Sequence, residues 1–199
     1  LLITRTGALP ELEDLKNKLI KCVPQVKSFY WVINNQIADV INFESVSHVY
    51  GEKYIEESLN GLKFRIYPQT FFQTNTKATE LLYKKIDEFS GIGTNDSVLG
   101  LYCGSGPIEI SLARHAKEVV AIDSNPANII NAKENAGING VFNCAFFEGQ
   151  VEKILKKISF DKIDLVEGEN DAFAFIESNA EQVLVLERDA VGDVDHKHH

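Results

Sequence analysis

The sequence predicts an α/β fold in two parts, a small α/β domain over residues 1–68 and a larger sheet domain over residues 69–199. Three observations lead to this prediction. Strand and helix patterns alternate with short connections after Pro68, which is typical of a doubly wound parallel sheet. Apolar residues make up 44% of the chain, enough for a packed core. A Gly-x-Gly turn follows the first strand of the alternating region.

The first part combines short strands with one amphipathic helix. Its helix carries Leu12, Leu15 and Leu19 at helical spacing, which places them on one face. The strands are separated by turn residues, so we expect an antiparallel arrangement. The predicted elements are a strand at Leu1–Thr6, a helix at Glu11–Cys22, and strands at Phe29–Ile33, Ser47–Tyr50 and Leu62–Tyr67.

The second part opens with a helix at Thr76–Phe89, which has one apolar stripe and ends before Gly91. Strands and helices then alternate, and two of the helices begin with proline, which is favoured at the first helical position. The predicted strands are Ser97–Leu101, Glu118–Ile122, Val141–Phe147 and Lys162–Val166, and the helices are Pro107–Ala116, Pro126–Ala136 and Val151–Ile158.

Composition excludes several classes of protein. No run approaches 18 apolar residues, so we expect no membrane span. The net charge of −9 has the wrong sign for a domain that grips nucleic acid through its phosphates. The three cysteines form no C-x-x-C pair, which argues against a disulfide scaffold and a metal site and indicates a reducing, cytoplasmic location.

The glycine turn and the residues after the next two strands indicate a nucleoside-binding site. Gly104 and Gly106 allow close approach of the backbone to a ligand, although Glu109 stands where a dinucleotide fingerprint has its third glycine. Asp123 follows the next strand, 19 positions after Gly104, where an acid suits ribose hydroxyls. Gln150 follows the third strand, where an adenine edge would lie.

Four segments of the sequence carry a resemblance to a known family: Phe71–Asn75, Leu101–Gly106, Val119–Asp123 and Asn135–Gly140. They resemble the S-adenosylmethionine-dependent RNA uracil-5-methyltransferases, which act on transfer RNA and large-subunit ribosomal RNA. The resemblance runs from about Leu1 to Val166 and implies a Rossmann-like class I methyltransferase sheet, S-adenosylmethionine as cofactor, and transfer or ribosomal RNA as substrate.

The resemblance implies a role for each site residue. Gln73 would hold the amino-acid end or ribose of the cofactor, and Tyr102 with the Gly104–Gly106 backbone would cradle it. Asp123 would bind the ribose, and Gln150 would lie near the adenine. Simpler interpretations remain open: Gln73 as a cap or surface residue, Tyr102 as packing, and Asp123 as an acid at a helix N-terminus.

The sequence also departs from the family, which indicates a truncated or degenerate member with an incomplete sheet. The family uses a cysteine thiolate at the end of a late strand, and none of the three cysteines lies there. Gly100 replaces an aspartate of the first motif, and 15 residues between Val166 and Gln182 cannot supply two further strands with their helices. Glu181 resembles the proton-abstracting carboxylate of the family, or is a solvated glutamate at a strand edge.

These features are compatible with three hypotheses about whether the chain is part of an enzyme. In the first, the full enzyme transfers a methyl group to C5 of uridine, and this chain alone binds RNA weakly. In the second, the chain is a non-catalytic relic that binds S-adenosylmethionine, RNA or a protein. An unrelated nucleotide-binding oxidoreductase is a third hypothesis, which the missing third glycine disfavours.

Overall fold

The computed structural model describes residues 1–36 and 43–157, together with the backbone of residues 164–165 and 183–187. The first sheet has the order β1-β2-β3, in which β3 is antiparallel to β2 as predicted. The antiparallel prediction is wrong for β1 and β2, which are parallel because helix α1 carries the chain back between them. The elements are β1 (Leu2–Thr4), α1 (Leu12–Cys22), β2 (Ser28–Ile33) and β3 (Ser45–Gly51).

A two-stranded hairpin follows, formed by β4 (Ile55–Leu59) and β5 (Leu62–Ile66). Asn60 and Gly61 connect the strands with φ angles of 49° and 81°, the left-handed values that a tight hairpin turn requires. The sequence pattern predicts β5, whereas β4 is absent from the prediction, although Asn60-Gly61 is a strong hairpin signal. The hairpin packs on the core of the following sheet domain, and the division at residue 68 stays a prediction.

A five-stranded sheet forms the centre of the second part, in the order β8-β7-β6-β10-β9. Strands β6, β7 and β8 are parallel, as predicted. Strand β10 is antiparallel to both β6 and β9, so the sheet is mixed and β9 lies at its end. The strands are β6 (Ser97–Leu101), β7 (Glu118–Asp123), β8 (Cys144–Glu148), β9 (Asp164–Leu165) and β10 (Val183–Glu187).

The helices of the second part follow the predicted order with different ends. Gly91, with φ 57°, ends α2 as predicted, whereas α3 is shorter than the predicted helix at Pro107–Ala116. Apolar residues are buried on both faces of the sheet, and the larger cluster lies between the sheet, the hairpin and α2 to α4. The helices are α2 (Thr76–Ser90), α3 (Pro107–Leu112), α4 (Pro126–Ile138) and α5 (Val151–Ile154).

Asparagines on one face of α4 bind the backbone of β5. Asn135 accepts from the Arg65 amide at 2.8 Å, and Asn139 accepts from the Lys63 amide at 2.9 Å and donates to its carbonyl. Because these carboxamides take the place of a neighbouring strand, they satisfy backbone groups that would otherwise be unpaired. None of the helices in the described ranges has the length and apolar character needed to span a bilayer.

Candidate functional site

The turn between β6 and α3 has an unusual backbone conformation. Tyr102 has a φ of 57°, which bulky residues seldom adopt, and its side chain is 43% exposed at the end of β6. Gly106 has a φ of 78°, and a Cβ there would lie about 3.0 Å from the Phe146 ring and 3.1 Å from Ala132. The turn therefore requires glycine at this position for both its conformation and its packing.

Asp123 connects the turn to the neighbouring strand. One carboxylate oxygen accepts from the Gly104 amide at 2.8 Å. The other accepts from the Asn125 amide at 2.7 Å and from the Asn128 side chain at 3.2 Å. The residue is buried at the carboxyl end of β7. Because a carboxylate has about four acceptor positions, these bonds leave capacity for about one further donor, such as a ribose hydroxyl.

Gln73 lies in the segment between the hairpin and α2. The preceding Phe72 packs against the core, with its ring 5.9 Å from the ring of Phe64. Asn75 caps α2, because its side chain accepts from the Ala78 amide at 3.1 Å. Gln73 itself is half-buried, and no hydrogen bond holds its carboxamide within the part of the chain that the structure describes. The carboxamide is therefore available for a ligand.

Gln150 is exposed at the N-terminus of α5, two residues after the end of β8. Its neighbour Gly149 donates from its amide to the Asp123 carbonyl at 2.9 Å. The structure thus brings Gln150 to the same edge of the sheet as Tyr102 and Asp123. The predicted roles of Tyr102 in cradling the cofactor, of Asp123 in binding the ribose and of Gln150 near the adenine stay predictions.

Glu109 enters the sequence prediction only as the residue that stands in place of a third glycine. It is 1% exposed, and its carboxyl group lies against Gly100, where a Cβ would come within 3.0 Å of the carboxyl carbon. A carboxyl group therefore occupies the space beside Gly100, although β6 carries no acid there. The sequence does contain a signal for a buried acid, because this glutamate lies between Ile108 and Ile110 in a helix that packs on the sheet.

The cysteines have environments that suit packing. Burial raises the pKa of the Cys103 thiol, and the nearby Glu109 raises it further. Burial likewise raises the pKa of Cys144 to about 12. Both groups are therefore neutral thiols at physiological pH, which is the unreactive form. Cys22 is exposed on α1.

Two further predictions concern the general base and the absence of a metal site. Glu181, the predicted general base, lies outside the described residues. No three His, Cys, Asp or Glu side chains in residues 1–36 and 43–157 lie where they could hold a metal ion.

The net charge of −9 is unevenly distributed along the chain. Residues 1–36 and 43–157 contain equal numbers of basic and acidic side chains. The excess negative charge therefore comes from residues 37–42 and 158–199. The charge argument against RNA binding consequently applies to those segments rather than to the residues that form the site.

The sheet region of this chain is similar to known methyltransferases. Residues 92–188 match a family model described as a methyltransferase domain. The chain is 39% identical over 155 residues to a protein of Oceanobacillus iheyensis and 35% identical over 154 residues to one of Halalkalibacterium halodurans. Both are named uncharacterized RNA methyltransferases. The matches cover 78% and 77% of this chain, and the chain spans about a third of the length of each relative.

A solved structure supports the same class. The tRNA (uracil-54, C5)-methyltransferase of Pyrococcus abyssi, in complex with S-adenosyl-L-homocysteine, is 27% identical with a TM-score of 0.57. That match covers 80% of this chain and 36% of the other. The α/β fold with its mixed sheet, including the antiparallel β10, thus resembles the Rossmann-like fold of a known methyltransferase.

Proposed function

We propose that this chain is the cofactor-binding part of an RNA methyltransferase and binds S-adenosylmethionine at the carboxyl edge of β6, β7 and β8. The observation that carries the proposal is the Asp123 carboxylate, which joins the end of β7 to the Gly104 amide in the turn after β6. The names of the relatives support RNA as the substrate class. Because the chain spans a third of those relatives, the activity of the complete protein is part of this proposal.

The polar groups at this edge fit the chemistry of the cofactor. Asp123 can accept one hydroxyl of a ribose, and the Gln73 carboxamide can bind the amino-acid end or ribose. Gln150 follows β8 at the side where the adenine would lie. When bound, S-adenosylmethionine supplies an electrophilic methyl group on a sulfonium sulfur. The described residues bind the rest of the cofactor and thereby hold its methyl group at the edge of the sheet.

We infer C5 of uridine as the methylated atom in the complete enzyme. Support comes from the segments Phe71–Asn75 and Leu101–Gly106 and from the likeness to the Pyrococcus abyssi enzyme. Uracil C5 becomes nucleophilic when a thiolate adds to C6. Cys103 and Cys144 are neutral thiols, the first buried and the second half-buried, so neither supplies the thiolate. We therefore propose that this chain alone binds the cofactor without methylating uridine. In the complete enzyme, we propose that Glu181 accepts the proton that leaves C5.

Calorimetry with S-adenosylhomocysteine tests the cofactor site. We expect saturable binding by the wild-type chain and a loss of affinity of about tenfold or more in Asp123→Asn, because charge-assisted hydrogen bonds are lost. Asp96→Asn is the matched control, since Asp96 accepts from a glycine amide at 2.7 Å at the opposite end of β6. No binding at millimolar ligand overturns the cofactor proposal, and binding of NAD instead supports the oxidoreductase hypothesis.

Methyl transfer and RNA binding test the rest of the proposal. With labelled S-adenosylmethionine and a uridine-containing RNA, we expect no incorporation by this chain. Incorporation at C5 would show that the chain holds its own nucleophile and would refute that part. RNA binding should be weak, with a shallow dependence on salt, because the described residues have no excess of basic side chains.

A further inference from the structure

The middle residue of the glycine turn is held from two sides. Ser105 is 1% exposed, and its hydroxyl donates to the Phe71 carbonyl at 3.2 Å. Its own carbonyl accepts from the Asn135 side chain at 3.3 Å. Ser105 therefore joins three separate parts of the chain: the turn after β6, the segment before α2, and helix α4.

The bond to Phe71 reaches the segment that carries Gln73. That segment is fixed on its other side, because Phe72 packs in the core and Asn75 caps α2. Gln73 lies between these two anchors, two residues after the carbonyl that Ser105 holds. Together with these two anchors, the Ser105–Phe71 hydrogen bond sets the position of Gln73, and it is the contact that joins this segment directly to the turn.

The turn is fixed independently of that bond. Asp123 holds the Gly104 amide, and the Gly106 amide donates to the Cys103 carbonyl at 2.9 Å. Loss of the Ser105 hydroxyl would therefore leave the turn in place and remove its direct hydrogen bond to the segment beside it. This asymmetry separates a positioning role from a general contribution to folding.

We propose that Ser105 is a positioning residue that holds the Gln73 carboxamide in register with the ligand-binding turn. The hydroxyl of Ser105 is itself buried, so it acts on the ligand through the segment from Phe71 to Gln73. The inference rests on the proposed function, because the ligand whose affinity it predicts is S-adenosylhomocysteine. It goes beyond that function by assigning a role to a side chain outside the ligand-contacting set.

A double-mutant cycle tests the coupling. The variants are Ser105→Ala, Gln73→Ala and the double variant, with S-adenosylhomocysteine affinity measured by calorimetry. We expect Ser105→Ala to weaken binding about fivefold in the wild-type background, as loss of one hydrogen bond implies. In the Gln73→Ala background, the same change should alter affinity less than about twofold, because the group that Ser105 positions is gone.

Ser90→Ala is the matched control, since Ser90 is also fully buried and its hydroxyl donates to the Asp87 carbonyl at 3.0 Å. It lies at the far end of α2 and should leave affinity unchanged. Ser105→Thr, which keeps the hydroxyl, should retain more affinity than Ser105→Ala. Thermal unfolding monitored by circular dichroism verifies that each variant is folded.

The outcomes separate this inference from the proposed function. If the wild-type chain does not bind S-adenosylhomocysteine, the proposed function fails. If the wild type binds and Ser105→Ala weakens binding equally in both backgrounds, Ser105 acts independently of Gln73 and the inference is overturned. The same conclusion follows if Ser105→Ala or Gln73→Ala has no effect on affinity.

Discussion

The buried carboxyl group of Glu109 makes the stability of this chain depend on pH. Its environment is formed by several elements: Gly100 on β6, Tyr83 on α2, Cys103 in the turn and Asp123 on β7. One of its carboxyl oxygens has no hydrogen-bond partner among the described residues. An ionised carboxylate in such a site is strongly disfavoured, because neither water nor a cation offsets the loss of hydration.

Burial, together with the charge of Asp123, raises the pKa of Glu109 to about 8 from the ordinary 4.5, although its own backbone amide lowers it. The folded chain therefore keeps this proton between about pH 4.5 and 8, while the unfolded chain releases it. Since the unfolded state binds fewer protons in this range, the free energy of unfolding falls as pH rises. The slope is about 1.4 kcal/mol per pH unit, or about 5 kcal/mol over the whole range.

Replacing Glu109 with glutamine removes this titration and nearly preserves the side-chain volume. We subtract the free energy of unfolding of wild type from that of Glu109→Gln. We expect this difference to increase by about 4 kcal/mol between pH 5 and 8, because only the wild type loses stability through this titration. Urea unfolding followed by circular dichroism measures the difference, in which the titration of all other groups cancels. A difference that stays constant between pH 5 and 8 for Glu109→Gln would refute a buried neutral carboxyl group at this position.

Three further predictions follow from the contacts described above. Gly106→Ala should abolish S-adenosylhomocysteine binding in calorimetry and lower the melting temperature, because φ is 78° and the added methyl group would press on Phe146; unchanged binding would contradict the tight turn. Asn139→Ala should cost about 1 kcal/mol in urea unfolding, because backbone groups of β5 lose their partner, whereas an unchanged midpoint would show that water replaces it. Cys22 should react rapidly with Ellman's reagent in the folded state, and Cys103 should react only after denaturation because it is buried; modification of Cys103 in the folded chain would disprove its burial.

The sheet edge that carries the site could be predicted from the sequence because it depends on local patterns. Short apolar strands, prolines at helix starts and a glycine turn are all read within a few residues of the chain. The spacing of Asp123 from Gly104 placed these two residues at adjacent strand ends, and in the structure they are hydrogen-bonded. That prediction succeeded because adjacent parallel strands end at the same edge.

Other features were missed because they depend on contacts between distant segments. The β4–β5 hairpin is an exception, because its Asn60–Gly61 turn is a local signal. The pairing of Asn135 with Arg65 and Ser105 joins residues 70 and 30 positions apart, and no local pattern indicates it. The position of β10 between β6 and β9 likewise depends on which strand edge is available.

The sequence by itself determined the order of strands and helices, the glycine turn and the identity of the polar residues at the strand ends. It did so because these features follow from backbone preferences and from the alternation of apolar residues. Only the tertiary structure decided that Glu109 fills the space beside Gly100 and that Ser105 joins the turn to the segment of Gln73. Burial and hydrogen bonding between distant segments exist only once the chain has folded, and they set the pKa of the one residue and the role proposed for the other.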